Sequence, residues 1–223
     1  MNDTSPGNRV SPEVPSVLYL HGFASSPGGQ KASAIRALLE GAVELITPDL
    51  NVPSFQKLDF LAMVEHAAAA AKGRSTRAIV GSSLGALIAL ELARRGAGVP
   101  LVLIAPALGV VEQWIDSIDE GDPVVIFNYA IERETTIHRA FFEQMRTVHP
   151  DATAPDVRTT IIMGRNDESV PFSRVREIWD GWCESGMLAD GSRFVDIAGG
   201  DHGLHAHTGA IADEIRRAAL FQG

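Results

Sequence analysis

Six short runs of four or five residues, dominated by apolar side chains, punctuate the chain at residues 17–20, 43–47, 77–80, 101–105, 159–163 and 193–197. They are continuous rather than alternating, which is what strands show when helices cover both faces of their sheet. The intervals carry helical spacing. Residues 30–39 put Ile35, Leu38 and Leu39 on one face, and residues 60–72 are rich in alanine. Residues 84–95 are apolar almost all round through Leu90, as befits a helix enclosed by the fold. Residues 172–188 repeat Val175, Ile178, Trp179 and Trp182, and residues 208–221 repeat Ile211, Ile215 and Ala219. Strands alternating with helices specify an α/β fold built on a six-stranded, mostly parallel sheet. The 223 residues fit one domain with room for a small insertion.

That insertion has a place. Residues 108–156 separate the fourth and fifth strands, an interval that one helix would ordinarily span. The pattern predicts a helix at 111–118, an apolar run at 124–129 and a long helix over 132–148, together a small cap over one end of the sheet. Residues 1–15 hold three prolines among Asn, Asp, Ser and Gly and read as a mobile tail. The domain is therefore expected over residues 16–223.

Charge and cysteine usage narrow the classes. With 19 basic and 28 acidic residues the formal charge is −9, which disfavours a nucleic-acid partner and weakly disfavours anionic substrates. A single cysteine, Cys183, cannot form an internal disulfide or a cysteine-based zinc site, and its helical spacing with Trp179 predicts packing. The N-terminus lacks a basic start and an apolar core, so it is not expected to be a signal peptide. No run reaches 18 apolar residues, so no membrane partner is expected and the expected location is cytoplasmic.

Chemistry concentrates after the strands. Gly81-Ser82-Ser83-Leu84-Gly85 lies between the third strand and the enclosed helix, the setting of a nucleophile elbow with Ser83 on a strained turn. Gly81 and Gly85 belong where backbones pass too closely for a side chain. Random placement of this composition would yield about 0.1 such matches per chain. A serine hydroxyl needs a base at neutral pH. His202, in the loop after the last strand, can reach Ser83 because strand ends on one edge of a parallel sheet converge. Asp167, after the preceding strand, can orient the imidazole, and Glu168 is its nearest rival. The order Ser, Asp, His is that of α/β-hydrolases. Backbone amides of Phe23, after the first strand, and Leu84, opening the helix, are the expected oxyanion donors.

These pieces resemble the α/β-hydrolase superfamily, and within it small bacterial serine esterases with a Leu-His-Gly-Phe-x-Ser-Ser-Pro opening. The likeness rests on residues 20–27, Lys31-Ala32, residues 47–50, 81–85, 105–107 and 164–171, and on Gly200-Asp201-His202. It implies Ser83, Asp167 and His202 as catalytic triad and Phe23 and Leu84 as oxyanion hole. It also implies a sheet in the spatial order second, first, third, fourth, fifth, sixth. The expected activity is hydrolysis of small neutral, short-acyl carboxylic esters through a Ser83 acyl-enzyme, without cofactor or metal and with activity rising as His202 deprotonates. Thioesters, lactones and amides would use the same triad, and a noncatalytic binding protein on the same fold is the remaining alternative.

Two other patterns compete. Residues 26–31 approach a phosphate loop, but Gln30 separates Gly29 from Lys31 and Ala32 replaces the hydroxyl residue, so Lys31 is expected on a solvated helix face. His202, His205 and His207 cluster without the spacing of a zinc helix. Trp114, Trp179 and Trp182 are expected in core or cap packing, and of Trp114, Phe127 and Tyr129 in the cap interval one or two are expected to line the acyl pocket.

Overall fold

The computed structural model describes residues 14–118 and 120–220. All but the last two residues of the expected tail lie outside the described residues. The core strands are β1 (Ser16–Leu20), β2 (Glu44–Ile46), β3 (Thr76–Ser82) and β4 (Leu101–Ile104). Two more strands, β7 (Thr159–Gly164) and β8 (Arg193–Ile197), complete one sheet in the order β2-β1-β3-β4-β7-β8. Every neighbouring pair is parallel, in registers such as Leu18 with Ile79, Leu103 with Ile161 and Ile162 with Val195. This is the order the resemblance implies.

Burial explains why the central strands read as unbroken apolar runs. Val17, Leu18, Leu20, Val80, Val102 and Leu103 have no exposed surface, on either face of the pleat. Each such side chain contributes about 1.5–3 kcal/mol relative to exposure. The edge strand β2 is only half covered and only three residues long, shorter than its sequence pattern.

Two helical layers enclose the sheet. Helices α1 (Gln30–Leu39) and α7 (Thr208–Ala219) pack together on one face, while α2 (Phe60–Ala71) and α3 (Leu84–Arg94) pack together on the other. Asp59 caps α2, accepting the Ala62 N–H at 2.7 Å. Helix α3 is buried almost throughout, as its all-round apolar pattern requires. Helix α6 (Phe172–Glu184) buries Val175, Trp179 and Trp182, but Cys183 is exposed, so the packing expected of the thiol is not observed. No described helix is long and apolar enough to cross a membrane.

The interval from 108 to 156 departs most from expectation. Helix α4 (Val111–Asp116) is present, but the long helix over 132–148 is not. In its place β5 (Val124–Asn128) and β6 (Arg133–Ile137) form an antiparallel hairpin, followed by the short helix α5 (Ala140–Met145). Thr135, Thr136 and Ile137 are β-branched and stiff at χ1, so they favour a strand once residues 124–128 offer a partner. Register places Val124 against Ile137 and Asn128 against Arg133. The hairpin is stitched to the sheet domain below it. The His138 N–H donates to the Gln56 carbonyl at 2.8 Å, and Gln144 accepts from the Phe60 N–H at 2.7 Å while its amide donates to Asp59.

Candidate active site

The sheet order reverses between β1 and β3, and their C-terminal ends open the crevice where ligands bind on such folds. Ser83 sits there, between β3 and α3, with φ 53° and ψ −117°. A non-glycine residue in this region is strained by about 1–3 kcal/mol, and the surrounding backbone holds it. Its N–H donates to the Ile104 carbonyl at 3.0 Å, and its carbonyl accepts the Ala107 N–H at 3.3 Å. The flanking glycines are required by contact. A Cβ on Gly81 would lie 2.5 Å from the Ala86 Cα, and one on Gly85 would lie 2.7 Å from the Leu20 carbonyl carbon and 2.8 Å from the His21 oxygen.

His202 and Asp167 arrive from two other loops. The His202 Nε2 lies 3.2 Å from the Ser83 hydroxyl, and its Nδ1 lies 2.8 Å from Asp167 Oδ2. Asp167 Oδ1 accepts the Ser169 and Val170 N–H groups at 2.9 and 2.8 Å. With its carboxylate wholly buried and both oxygens engaged, Asp167 makes Nδ1 the protonated nitrogen and leaves the Nε2 lone pair facing Ser83. The neighbouring Glu168 is exposed and makes no such contact. Gly22 runs beside the serine, since a Cβ there would be 3.3 Å from the Ser83 Cβ and 4.0 Å from its hydroxyl. The turn that carries Phe23 therefore passes close to the hydroxyl, and Phe23 and Leu84 both border the cavity beside it.

That cavity measures about 850 Å³. Phe23, Leu84, Val110, Val111, Trp114 and Tyr129 supply its apolar wall. The Phe23 ring meets Trp114 edge-on at 4.9 Å and stacks near Phe141 at 6.0 Å, so cap residues brace the turn. Tyr129 reaches the cavity, whereas Phe127 is exposed on the hairpin and is not among the lining residues. Its polar lining comes from Ser25, Ser26, Gln30, Lys31 and Ser82.

Three polar residues here were not legible as site components. His21 is buried and accepts the Leu50 N–H at 3.0 Å, while its Nδ1 donates to the Gly22 carbonyl at 2.9 Å. Burial holds its pKa below the usual imidazole range, so it is a neutral strut under the turn. Lys31 overturns its expected exposure: it turns inward, donating to Ser82 Oγ at 3.0 Å and approaching the His202 carbonyl at 3.5 Å. Burial pulls its pKa down to about 8 against the attraction of Asp167 and Asp201. Tyr19, hydrogen-bonded to Ser82, is pushed above the ordinary phenol range by burial. The only advance signal was the position of Lys31 in the first turn after the Gly28-Gly29 pair, where helix phase decides between inside and outside.

The structure does not gather the three histidines. His202 is committed to Asp167 and Ser83, while His205 is exposed in the turn before α7. Among the described residues no group of three or more His, Cys, Asp or Glu side chains is arranged to hold a metal ion.

A parallel sheet with a serine on a strained strand-to-helix turn, and His and Asp on later loops, defines the architecture as the α/β-hydrolase fold. Solved structures bear this out at low identity. A provisionally named hydrolase of Agrobacterium vitis S4 superposes with a TM-score of 0.76 at 22% identity, over 93% of this chain and 88% of that one. Est1E from Butyrivibrio proteoclasticus matches at 0.68 and 16%, over 91% and 86% of the two chains. Alpha/beta hydrolase domain-containing protein 10 from mouse matches at 0.69 and 19%, over 93% and 92%. No curated protein matches the chain. Over residues 16–198 the sequence matches the model of the uncharacterised protein family UPF0227, and the chain belongs to that family.

Proposed function

We propose that this protein is a serine carboxylesterase that acts through a Ser83 acyl-enzyme. The observation that carries this reading is His202, whose two ring nitrogens meet Asp167 and Ser83 from separate loops. His202 Nε2 accepts the Ser83 proton as the hydroxyl oxygen attacks the substrate carbonyl, and Asp167 stabilises the imidazolium. The Phe23 and Leu84 amides receive the developing oxyanion; in measured cases one such donor is worth about 10²–10³ in rate. His202 then returns the proton to the leaving alcohol, and a water activated by the same imidazole releases the acid. No cofactor takes part.

The substrates are small neutral esters. Most of the residues that line the cavity are uncharged, and the apolar side chains of Phe23, Leu84, Val111 and Trp114 offer a surface on which a short acyl chain would rest. A cavity of about 850 Å³ accommodates the alcohol part as well. Thioesters, lactones and amides require the same nucleophile and base.

Hydrolysis of p-nitrophenyl acetate and butyrate tests the reading against Ser83→Ala. Turnover by the wild type at least a hundredfold above the variant is expected, with an organophosphonate adduct on Ser83 by mass spectrometry. Equal rates for the two proteins, or labelling elsewhere, would refute it in favour of a noncatalytic role. An acyl-length series with ester and thioester leaving groups then ranks the substrate classes.

A further inference from the structure

Lys31 occupies an unfavourable place for a cation. It lies in the first turn of α1, where the helix dipole repels positive charge, and its side chain is half-buried against the cavity wall. It is in ion-pair contact with no carboxylate among the described residues; its contacts are two neutral oxygens, Ser82 Oγ at 3.0 Å and the His202 carbonyl at 3.5 Å. A half-buried cation in this position is held by its two oxygen acceptors, and these identify what it braces. Ser82 ends β3 immediately before Ser83. His202 lies in the loop after β8, whose first half is tied to the end of β7 by the Asn166 N–H on the Gly200 carbonyl at 2.9 Å. Asp167 restrains the ring of His202, yet the link from that ring to Ser83 is the long one, at 3.2 Å.

We infer that the Lys31 ammonium is a positioning group for the Ser83–His202 pair, holding the main chain of His202 against the end of the strand that carries the nucleophile. This rests on the serine-hydrolase reading above. No bond forms or breaks at Lys31; it acts through His202 and Ser82. The groups that face it are Tyr19 on β1, reached through Ser82, Asp167 in the loop after β7, and Asp201 and His202 in the loop after β8. His205 and Glu132 border the same cavity. Burial keeps the Tyr19 phenol protonated through the alkaline range, so it adds no step there. Lys31, with its pKa down at about 8, does. Below that pH its hydrogen bonds are charge-assisted; above it the neutral amine holds the same oxygens more weakly. The simple rise of activity with pH expected from His202 alone therefore becomes a rise followed by a fall.

The test is the second-order rate of Ser83 labelling by an organophosphonate, followed by mass spectrometry from pH 6 to 10. The wild-type rate is expected to rise and then fall about fivefold through pH 8 to a lower plateau. Lys31→Met should be about 10- to 100-fold slower at pH 7, with no falling limb. Lys31→Arg keeps its charge throughout this range and should regain rate at pH 7 while holding it to pH 10. In steady-state assays the loss should sit in kcat with KM little changed. Ser83 labelling without a falling limb, or a limb that survives in Lys31→Arg, overturns the role of Lys31 and leaves the esterase reading standing. Absence of Ser83 labelling in the wild type overturns both. Thermal unfolding checks that Lys31→Met is folded; if it is not, the limbs of the wild type and Lys31→Arg still decide.

Discussion

Replacing Asp167 by Asn changes one atom and should remove most of the activity, for a reason that the hydrogen bonds specify. One oxygen of Asp167 accepts two backbone N–H groups, from Ser169 and Val170, and the other accepts from His202 Nδ1. The asparagine oxygen must stay with the two buried N–H groups, since turning the amide would leave both unpaired at about 1–3 kcal/mol each. Its NH₂ then faces Nδ1, which can only accept. The imidazole proton is forced to Nε2, where it points at the Ser83 hydroxyl and cannot receive a proton from it. A wrong tautomer of this kind costs about 10⁴ in kcat in a serine protease, or about 5.5 kcal/mol of transition-state stabilisation. Folding should lose about 1–3 kcal/mol, from three charge-assisted hydrogen bonds becoming neutral. The assay is p-nitrophenyl butyrate hydrolysis at neutral pH beside a urea titration, with the exposed Glu168→Gln as a control expected near wild-type rate. Retention of activity within tenfold in Asp167→Asn, or a greater loss in Glu168→Gln, would refute the tautomer argument.

Other outcomes follow from packing and charge. Gly85→Ala drives a methyl group into the Leu20 and His21 backbone; overpacking of about 1–3 kcal/mol outweighs a helix-propensity gain of about 1, so Tm should fall and kcat with it. Trp114→Ala removes an aromatic wall beside Phe23, and the ratio of kcat/KM for hexanoate over acetate esters should rise about tenfold. Glu91, buried on α3, accepts from Arg94 and Arg95, and those hydrogen bonds hold its pKa below the usual carboxylate range. Its contribution is present above the unfolded-state pKa and lost as pH falls through the lower folded value. Denaturant midpoints of Glu91→Gln should accordingly converge with wild type below about pH 4 and diverge above it.

The sheet was legible because its strands are covered on both sides, which writes burial directly into residues such as Val17-Leu18-Tyr19-Leu20 and Ile161-Ile162-Met163. The meeting of Ser83, Asp167 and His202 could be anticipated because each follows a strand of one parallel sheet. What escaped was decided by contacts distant in sequence. Glu132–Val148 contains good helix formers as well as β-branched residues, and only pairing with Val124–Asn128 selects a strand for its first part. Lys31 is a lysine on a short helix, for which a solvated face is the ordinary outcome; its inward turn depends on Ser82 and His202, 51 and 171 residues away.

At Gly85 the first turn of α3 rests on the end of β1, main chain against main chain. The approach of α3 to the end of β1, and with it that of Ser83 to the turn that carries Phe23, is thereby set in part by backbone contact. Val110 and Tyr129 stand outside that contact, on separate segments of chain. Spacing and cavity shape are thus separately adjustable: a library confined to those two positions can reshape what enters the cavity while the distance between the serine and the turn is left as it is.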